Sequence, residues 1–344
     1  MPRYAGSTTR ALACMIGLCL AHAGSAQPIQ LMTGGDGKLI YLPAILADQL
    51  GYFRREGLEV RLLSAPAGID TSTELIAGAI VGALGFYDHT IELQSHGMDV
   101  QSVVVLNESA GLVELGRRDS GMQSMADARG RRLAVTGFGS STFYLTRFLA
   151  AREGVAADAY TLVPVATGAA FEKAITERSV DAGMVEEPTA TLMMSRLPVQ
   201  PLVDMRSVAD TRTQLGGPYA GACLYLRREW IDAHHDETTR LVRAMVDALH
   251  FIQSHSAREI AAVVPASLKG GEASIYLQAL AMTRPTYSAT GKMPAGAPST
   301  VLSVLAHVDP DVSARHVDIA RTYTDRFVDA APGAASRNAA ADSL

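Results

Sequence analysis

The stretch Val81-Gly82-Ala83-Leu84-Gly85-Phe86-Tyr87-Asp88-His89-Thr90 constrains the fold of this chain more than any other. A short apolar run, too brief for a helix, breaks at Gly85 into an aromatic, polar and ionisable cluster. A helix-like segment, residues 91–96, follows at once. In an open α/β sheet the carboxyl end of a strand and the amino end of the next helix face one crevice, and ligands sit there. Three more junctions of this form occur, at 33–37, 137–142 and 186–188. The expectation is that the four converge on one small-molecule site.

Strand and helix patterns alternate through both halves of the chain, which argues for parallel sheets. Residues 28–32, 58–63, 101–106, 112–117, 132–136, 161–165, 181–185 and 200–205 read as strands, and another starts at Ala222. A long helix over 238–254 places Leu241, Met245, Leu249 and Ile252 on one side. The 344 residues suffice for two domains at about 150 each. The polar segment 119–127 reads as a crossing into a second lobe and 216–221 as the return. The division that follows is 27–117 with 222–330 as lobe one, 118–221 as lobe two, and a frayed tail over 331–344.

Residues 1–26 read as a cleaved secretory signal. Arg3 and Arg10 give a basic start, residues 11–21 an apolar core too short to span a bilayer of about 30 Å, and Gly24-Ser25-Ala26 a cleavage site. Removal takes two arginines and no acid, moving the formal charge from −5 to −7. An acidic mature chain argues against nucleic acid as a partner. Cys223 is then the single cysteine, in an apolar run where a buried structural thiol is expected, so no intrachain disulfide can form. These features together predict an exported, periplasmic, monomeric protein.

Several segments resemble the substrate-binding proteins of nitrate/sulfonate/taurine ABC importers, in the superfamily that includes thiamine-pyrimidine binding proteins. The segments are Tyr41-Leu-Pro with Leu50-Gly-Tyr-Phe-Arg-Arg-Glu-Gly-Leu-Glu-Val60, Glu74-Leu-Ile-Ala-Gly78, His96-Gly-Met-Asp-Val100, Met125-Ala-Asp-Ala-Arg-Gly130, Gly137-Phe-Gly-Ser-Ser-Thr142, and Val180-Asp-Ala-Gly with Glu187-Pro188. The likeness covers residues 30–254 and is carried by order and spacing. It implies an α/β, type II periplasmic-binding-protein fold: two lobes, each with a mostly parallel sheet flanked by helices, joined by two crossings. It also implies delivery of a small organic ligand to a membrane permease and its ATPase, with a ligand-sensing receptor for a membrane signalling protein as another use of the fold.

Candidate ligand contacts come from the junctions. Gly139, Ser140, Ser141 and Thr142 stand where free N–H groups and a positive dipole suit a carboxylate or sulfonate, although a serine there also caps its own helix. Phe86, Tyr87, Asp88 and His89 offer a stacking wall, a hydroxyl and two ionisable contacts, with Asp88 equally suited to an N-cap. The resemblance adds Tyr41, Gly35 and Asp36 by position and Glu187 through its acid-proline pair, with Glu186 as the alternative acid. Tyr219 could close the pocket from a crossing. No arginine stands at a junction to fork an anion. His234-His235 lacks metal-ligand spacing, and there is no Gly-x-Ser-x-Gly elbow, Walker loop or cysteine pair. A pyrimidine-synthesising enzyme shares the superfamily fold but depends on a cysteine-rich motif that this chain lacks. The expectation is therefore a receptor without catalytic activity, cofactor or metal, with a metabolic enzyme on the same fold as the alternative.

Overall fold

The computed structural model describes residues 28–270 and 272–331. The stretch read as a secretory signal, and all of the expected tail but Ala331, lie outside them. The chain forms two five-stranded sheets. The first contains β1 (Ile29–Thr33), β2 (Val60–Ser64), β3 (Gly82–Phe86), β4 (Val100–Val105) and β10 (Ala222–Arg227), in the order β2-β1-β3-β10-β4. The second contains β5 (Leu112–Arg117), β6 (Arg132–Val135), β7 (Thr161–Pro164), β8 (Ala182–Glu186) and β9 (Val199–Met205), in the order β7-β6-β8-β5-β9. Both follow one plan. β1 is parallel to β2 and β3, and β6 to β7 and β8. In each sheet one antiparallel strand, β10 or β5, is the first strand the chain forms after crossing from the other lobe.

Helices cover the sheets, so β3 and β4 are buried at every position and, Gln101 apart, carry small or apolar residues without alternation. Lobe one carries α1 (Leu42–Gln49), α2 (Tyr52–Arg55), α3 (Gly68–Ile76) and α4 (Asp88–Ser95). Lobe two carries α5 (Ser141–Arg152), α6 (Ala169–Thr176), α7 (Thr189–Arg196) and α8 (Val208–Leu215). After α9 (Arg228–Ala233), α10 (His235–Ser254) buries Leu241, Met245, Leu249 and Ile252 as its spacing predicts. It packs on α1 and α2. Truncating any of these four to alanine removes about 2–5 kcal/mol of stability.

The lobe boundary differs from the sequence expectation. β5, assigned there to lobe one, pairs with β8 and β9 of the second sheet. The chain therefore crosses at 106–111, the short polar stretch Leu-Asn-Glu-Ser-Ala-Gly between two strands, and the polar segment 119–127 already belongs to lobe two. The return at 216–221 is where the sequence places it. Asn107 joins the two crossings: its carbonyl accepts from Gly221 N at 3.0 Å and its Oδ1 from Ala222 N at 2.7 Å. Its Nδ2 donates to the Ile40 carbonyl at 3.2 Å. A Cβ on Gly221 would stand 2.2 Å from the Ser109 carbonyl, so only glycine lets the crossings lie this close.

The C-terminal segment straps the lobes together. It comprises α11 (Ala257–Val263), α12 (Ala273–Thr283), α13 (Ala297–Val308), α14 (Pro310–Ala314) and α15 (Arg326–Asp329). α15 packs on α10, α12 packs on α7, and α13 packs on both α4 and α5.

One group in lobe two is costly. Glu114 on β5 is fully buried, with Oε2 accepting from the Thr146 hydroxyl at 2.9 Å and Oε1 without a partner. Burial pushes its carboxyl up from 4.5 to about 8. The native state thus holds a proton that the unfolded chain has released, and stability falls as pH rises from about 4.5 to about 8. Glu114→Gln, which stays neutral, should gain melting temperature over wild type by a few degrees at pH 9 and by little at about pH 5. A gain that does not change with pH in scanning calorimetry would contradict this assignment.

Candidate functional site

The strand ends meet between the lobes. β3 delivers Phe86 to the crevice, and Tyr87 N bonds the Gly221 carbonyl at 3.0 Å, which ties the junction to the return crossing. α4 then starts at Asp88, a helical residue and not its N-cap. Opposite it, β6 feeds the turn before α5. There Ser140 caps the helix, accepting from Phe143 N at 3.2 Å, and Thr142 Oγ1 accepts from Thr136 N at 2.9 Å. The helix amino ends touch: Ser141 Oγ donates to Asp88 Oδ1 at 2.9 Å. A second bridge joins Leu39 N to the Glu187 carbonyl at 3.0 Å, and a third sets Lys38 Nζ 3.8 Å from Glu186 Oε1.

Between these bridges lies a chamber of about 20 Å³, room for about one water molecule. Lobe one lines it with Lys38, Ile40, Tyr41, Gly68, Phe86 and His89; lobe two contributes Leu112, Thr136, Ser140, Ser141, Thr142 and Glu186. Lys38 and Glu186 also border a wider mouth of about 680 Å³, which Gly35, Asp36, Pro66, Pro188 and Leu268 help to line.

His89 is 1% exposed, and neither ring nitrogen has a hydrogen-bond partner among the described residues. Nδ1 lies 3.8 Å from Glu92 Oε2. A Cβ on Gly68 would approach Nε2 to 3.1 Å, so the missing side chain there leaves the imidazole its space. Burial works to lower the His89 pKa, but the neighbouring Asp88 and Glu92 carboxylates outweigh it and hold the imidazole above its ordinary value. Burial also raises Asp88, against the pull of His89 and Ser141. Asp88 Oδ2 and Glu92 Oε2 lack hydrogen-bond partners as well. Unpaired buried groups of this kind cluster where proteins bind or react.

The chamber gathers Tyr41, Phe86, His89, Ser140, Ser141 and Thr142 of the expected contacts, and Asp88 joins through its bond to Ser141. Gly35 and Asp36 stand at the mouth. Four expected contacts, Tyr87, Glu187, Tyr219 and Gly139, are placed elsewhere. Tyr87 is fully buried, bonds Thr322 Oγ1 and sets its ring 6.5 Å from that of Tyr323. Glu187 turns into lobe two, accepting from Thr191 N at 3.0 Å and Arg206 Nη1 at 2.7 Å, and Glu186 takes the chamber instead. Tyr219 is buried but lines neither chamber nor mouth. Gly139, with φ +80°, supports the turn against Ile69 of lobe one. The sequence reading missed Lys38, Ile40, Gly68, Leu112 and Thr136. A lone lysine directly after the glycine turn was the available signal. Cys223 is buried in β10, which raises its thiol to about 12 and leaves it unreactive.

Comparison with known proteins follows this geometry. A family model described as "NMT1/THI5 like" matches residues 40–258. A curated protein of Schizosaccharomyces pombe named 4-amino-5-hydroxymethyl-2-methylpyrimidine phosphate synthase is 27% identical over 65% of this chain and 65% of its own, so the chain spans just under two thirds of that relative. Proteins of Uromyces fabae and Aspergillus parasiticus with the same name are also 27% identical. Among solved structures, a Bordetella bronchiseptica RB50 protein matches with TM-score 0.85 and 28% identity, covering 88% of this chain and 96% of its own. The alkanesulfonate-binding protein SsuA of Xanthomonas axonopodis pv. citri, bound to MOPS, matches with TM-score 0.70 and 17% identity over 88% of this chain and all of its own. The two-lobed fold is that of ABC solute-binding proteins. The expectation of a chain without catalytic activity is overturned by the three fungal relatives, which are named as enzymes. It rested on missing local motifs, and a site assembled from loop tips of two lobes leaves none.

Ser141→Ala removes the partner of a buried carboxyl and one of the bridges between lobes. The expected loss is about 1–3 kcal/mol, with a larger radius of gyration in solution scattering. Ser140→Ala should cost about 1 kcal/mol as a lost cap and leave that radius unchanged.

Proposed function

The chain belongs to the NMT1/THI5-like family, and on that premise we propose that its lobes close on a small nitrogen heterocycle of the aminopyrimidine class. The observation that carries this reading is the set of buried acceptors at the chamber, Asp88 and Glu186, beside an imidazole whose ring nitrogens have no hydrogen-bond partner among the described residues. An exocyclic amine and a ring nitrogen supply what such groups lack: a donor for a carboxylate and an acceptor or donor for His89. Tyr41 and Phe86 offer ring faces. Lys38, between chamber and mouth, faces a hydroxymethyl or phosphate substituent. Carboxylates at the amino end of α4 (Asp88) and the carboxyl end of β8 (Glu186) weigh against a ligand that is only an anion, such as a simple sulfonate.

Two uses of this ligand each have support. Chemistry on a pyrimidine is backed by the sequence relatives and their name, and Asp88 with His89 forms a buried pair able to hold and pass a proton. Capture for an ABC importer is backed by the likeness to solute-binding proteins, and it goes with export of the chain to the periplasm through residues 1–26. Following the ligand by mass spectrometry separates them: covalent conversion on incubation supports chemistry, and quantitative recovery of unchanged ligand supports delivery.

The binding claim is tested with 4-amino-5-hydroxymethyl-2-methylpyrimidine phosphate. At 100 times its dissociation constant it should stabilise the protein by about 2.7 kcal/mol, visible as a melting shift. Glu186→Gln and Lys38→Ala should each weaken it by about tenfold or more. If the compound leaves the melting curve unmoved at millimolar concentration, the aminopyrimidine reading is wrong.

A further inference from the structure

α13 lies behind the cleft, resting on α4 and α5 at once, while α14 rests on α4. One helix thus contacts both of the helices whose amino ends meet at Asp88 and Ser141. Between α5 and the α13–α14 corner is a separate cavity of about 320 Å³, at the lower end of the range for small-molecule sites. Arg147 and Tyr160 line it from lobe two, and His307 and Asp309 from the corner.

Arg147 is half-buried, its guanidinium 5.1 Å from the Phe143 ring and beside Tyr160 in the cavity wall, with no ion-pair partner among the described residues. Asp309 is already engaged. Its Oδ1 caps α14, accepting from Asp311 N at 2.9 Å and Val312 N at 3.4 Å, and its carboxylate is also bonded to the Tyr144 hydroxyl. The cavity therefore presents a held, unneutralised cation together with a phenol and an imidazole. That donor set suits the oxygens of a carboxylate or phosphate, which a guanidinium takes in a fork.

We propose that this cavity is a second ligand site, for a small oxyanion, and that its occupancy favours closure of the cleft. An anion shared by Arg147 and His307 draws α5 onto α13, and the seat of α13 on α4 then brings the two amino ends together. The coupling is carried by one rigid helix in contact with both moving parts. The site is independent of which ligand enters the cleft.

The probes are inorganic phosphate and malonate, each against chloride at matched ionic strength. The wild type should show a saturable rise in melting temperature of a few degrees with at least one of them. Arg147→Met, which keeps the packing of the side-chain stem, and His307→Ala, at an exposed position, should fold normally and lose that rise. Lys38→Ala, altered in the cleft, should keep it, which separates this cavity from anion binding at the amino end of α5. In hydrogen exchange, the amides at the starts of α4 and α5 should slow when the anion is present. No saturable rise in the wild type, an unchanged rise in Arg147→Met, or its loss in Lys38→Ala overturns the site. Binding without slower exchange at those amides overturns the coupling.

Discussion

Asp88 reaches Ser141 only while the two lobes are together, and a carboxyl withdrawn from water depends on such a partner. That dependence links the state of the cleft to the energy of a single buried group. Closed, the chamber walls hold Asp88, His89 and Glu92 with more hydrogen-bonding capacity than the protein itself satisfies. Open, the same groups return to solvent. A guest that offers the missing partners lowers the energy of the closed form alone, which is the thermodynamic condition for closure on a ligand.

The sheets put those groups there. Parallel strands deliver all their carboxyl ends to one edge, and the helices that follow start at that edge. Two such lobes facing each other bring four junctions together without any residue having to be near another in sequence. The crossings must then be short and firm, or the registration of the two edges would drift. Asn107 supplies that firmness by bonding the opposite crossing and the Ile40 carbonyl, and Gly221 lets the two segments approach. The strap formed by α12 and α13 limits how far the lobes can part.

Much of this was legible in the sequence because strand-to-helix junctions announce themselves through composition. An apolar run ending in glycine and polar residues marks the crevice wherever it occurs, and Phe86, Asp88, His89 and Ser140 to Thr142 were found in that way. What failed was orientation. Tyr87 and Asp88 are neighbours, yet one turns to Thr322 behind the sheet and the other to Ser141 across the cleft. Glu186 and Glu187 exchange roles for the same reason, since the Arg206 guanidinium, which draws Glu187 inward, is far along the chain. The first crossing was misplaced although residues 106–111, Leu-Asn-Glu-Ser-Ala-Gly, carry the polar marker of a crossing, because the longer polar run at 119–127 outweighed so short a break between two apolar strands. Lys38 was overlooked although it directly follows the glycine turn, because the turn drew the reading to its backbone and not to the side chain after it.

Function is the property such a cleft leaves open, because one fold serves unrelated ends. Capture and catalysis make the same first demand, a closed chamber that excludes water and satisfies the ligand. They part at the next step. A carrier gains from acceptors that stay as they are, whereas an enzyme needs groups whose protonation can change while the ligand is held. Asp88 and His89 are both shifted by burial and by each other, and His89 lines the chamber. A carrier would be served by either residue alone paired with a neutral hydroxyl. Keeping an acid, an imidazole and a second acid buried within one helical turn costs stability, and the proposed chemistry on the ligand, unlike capture, has a use for it in proton transfer.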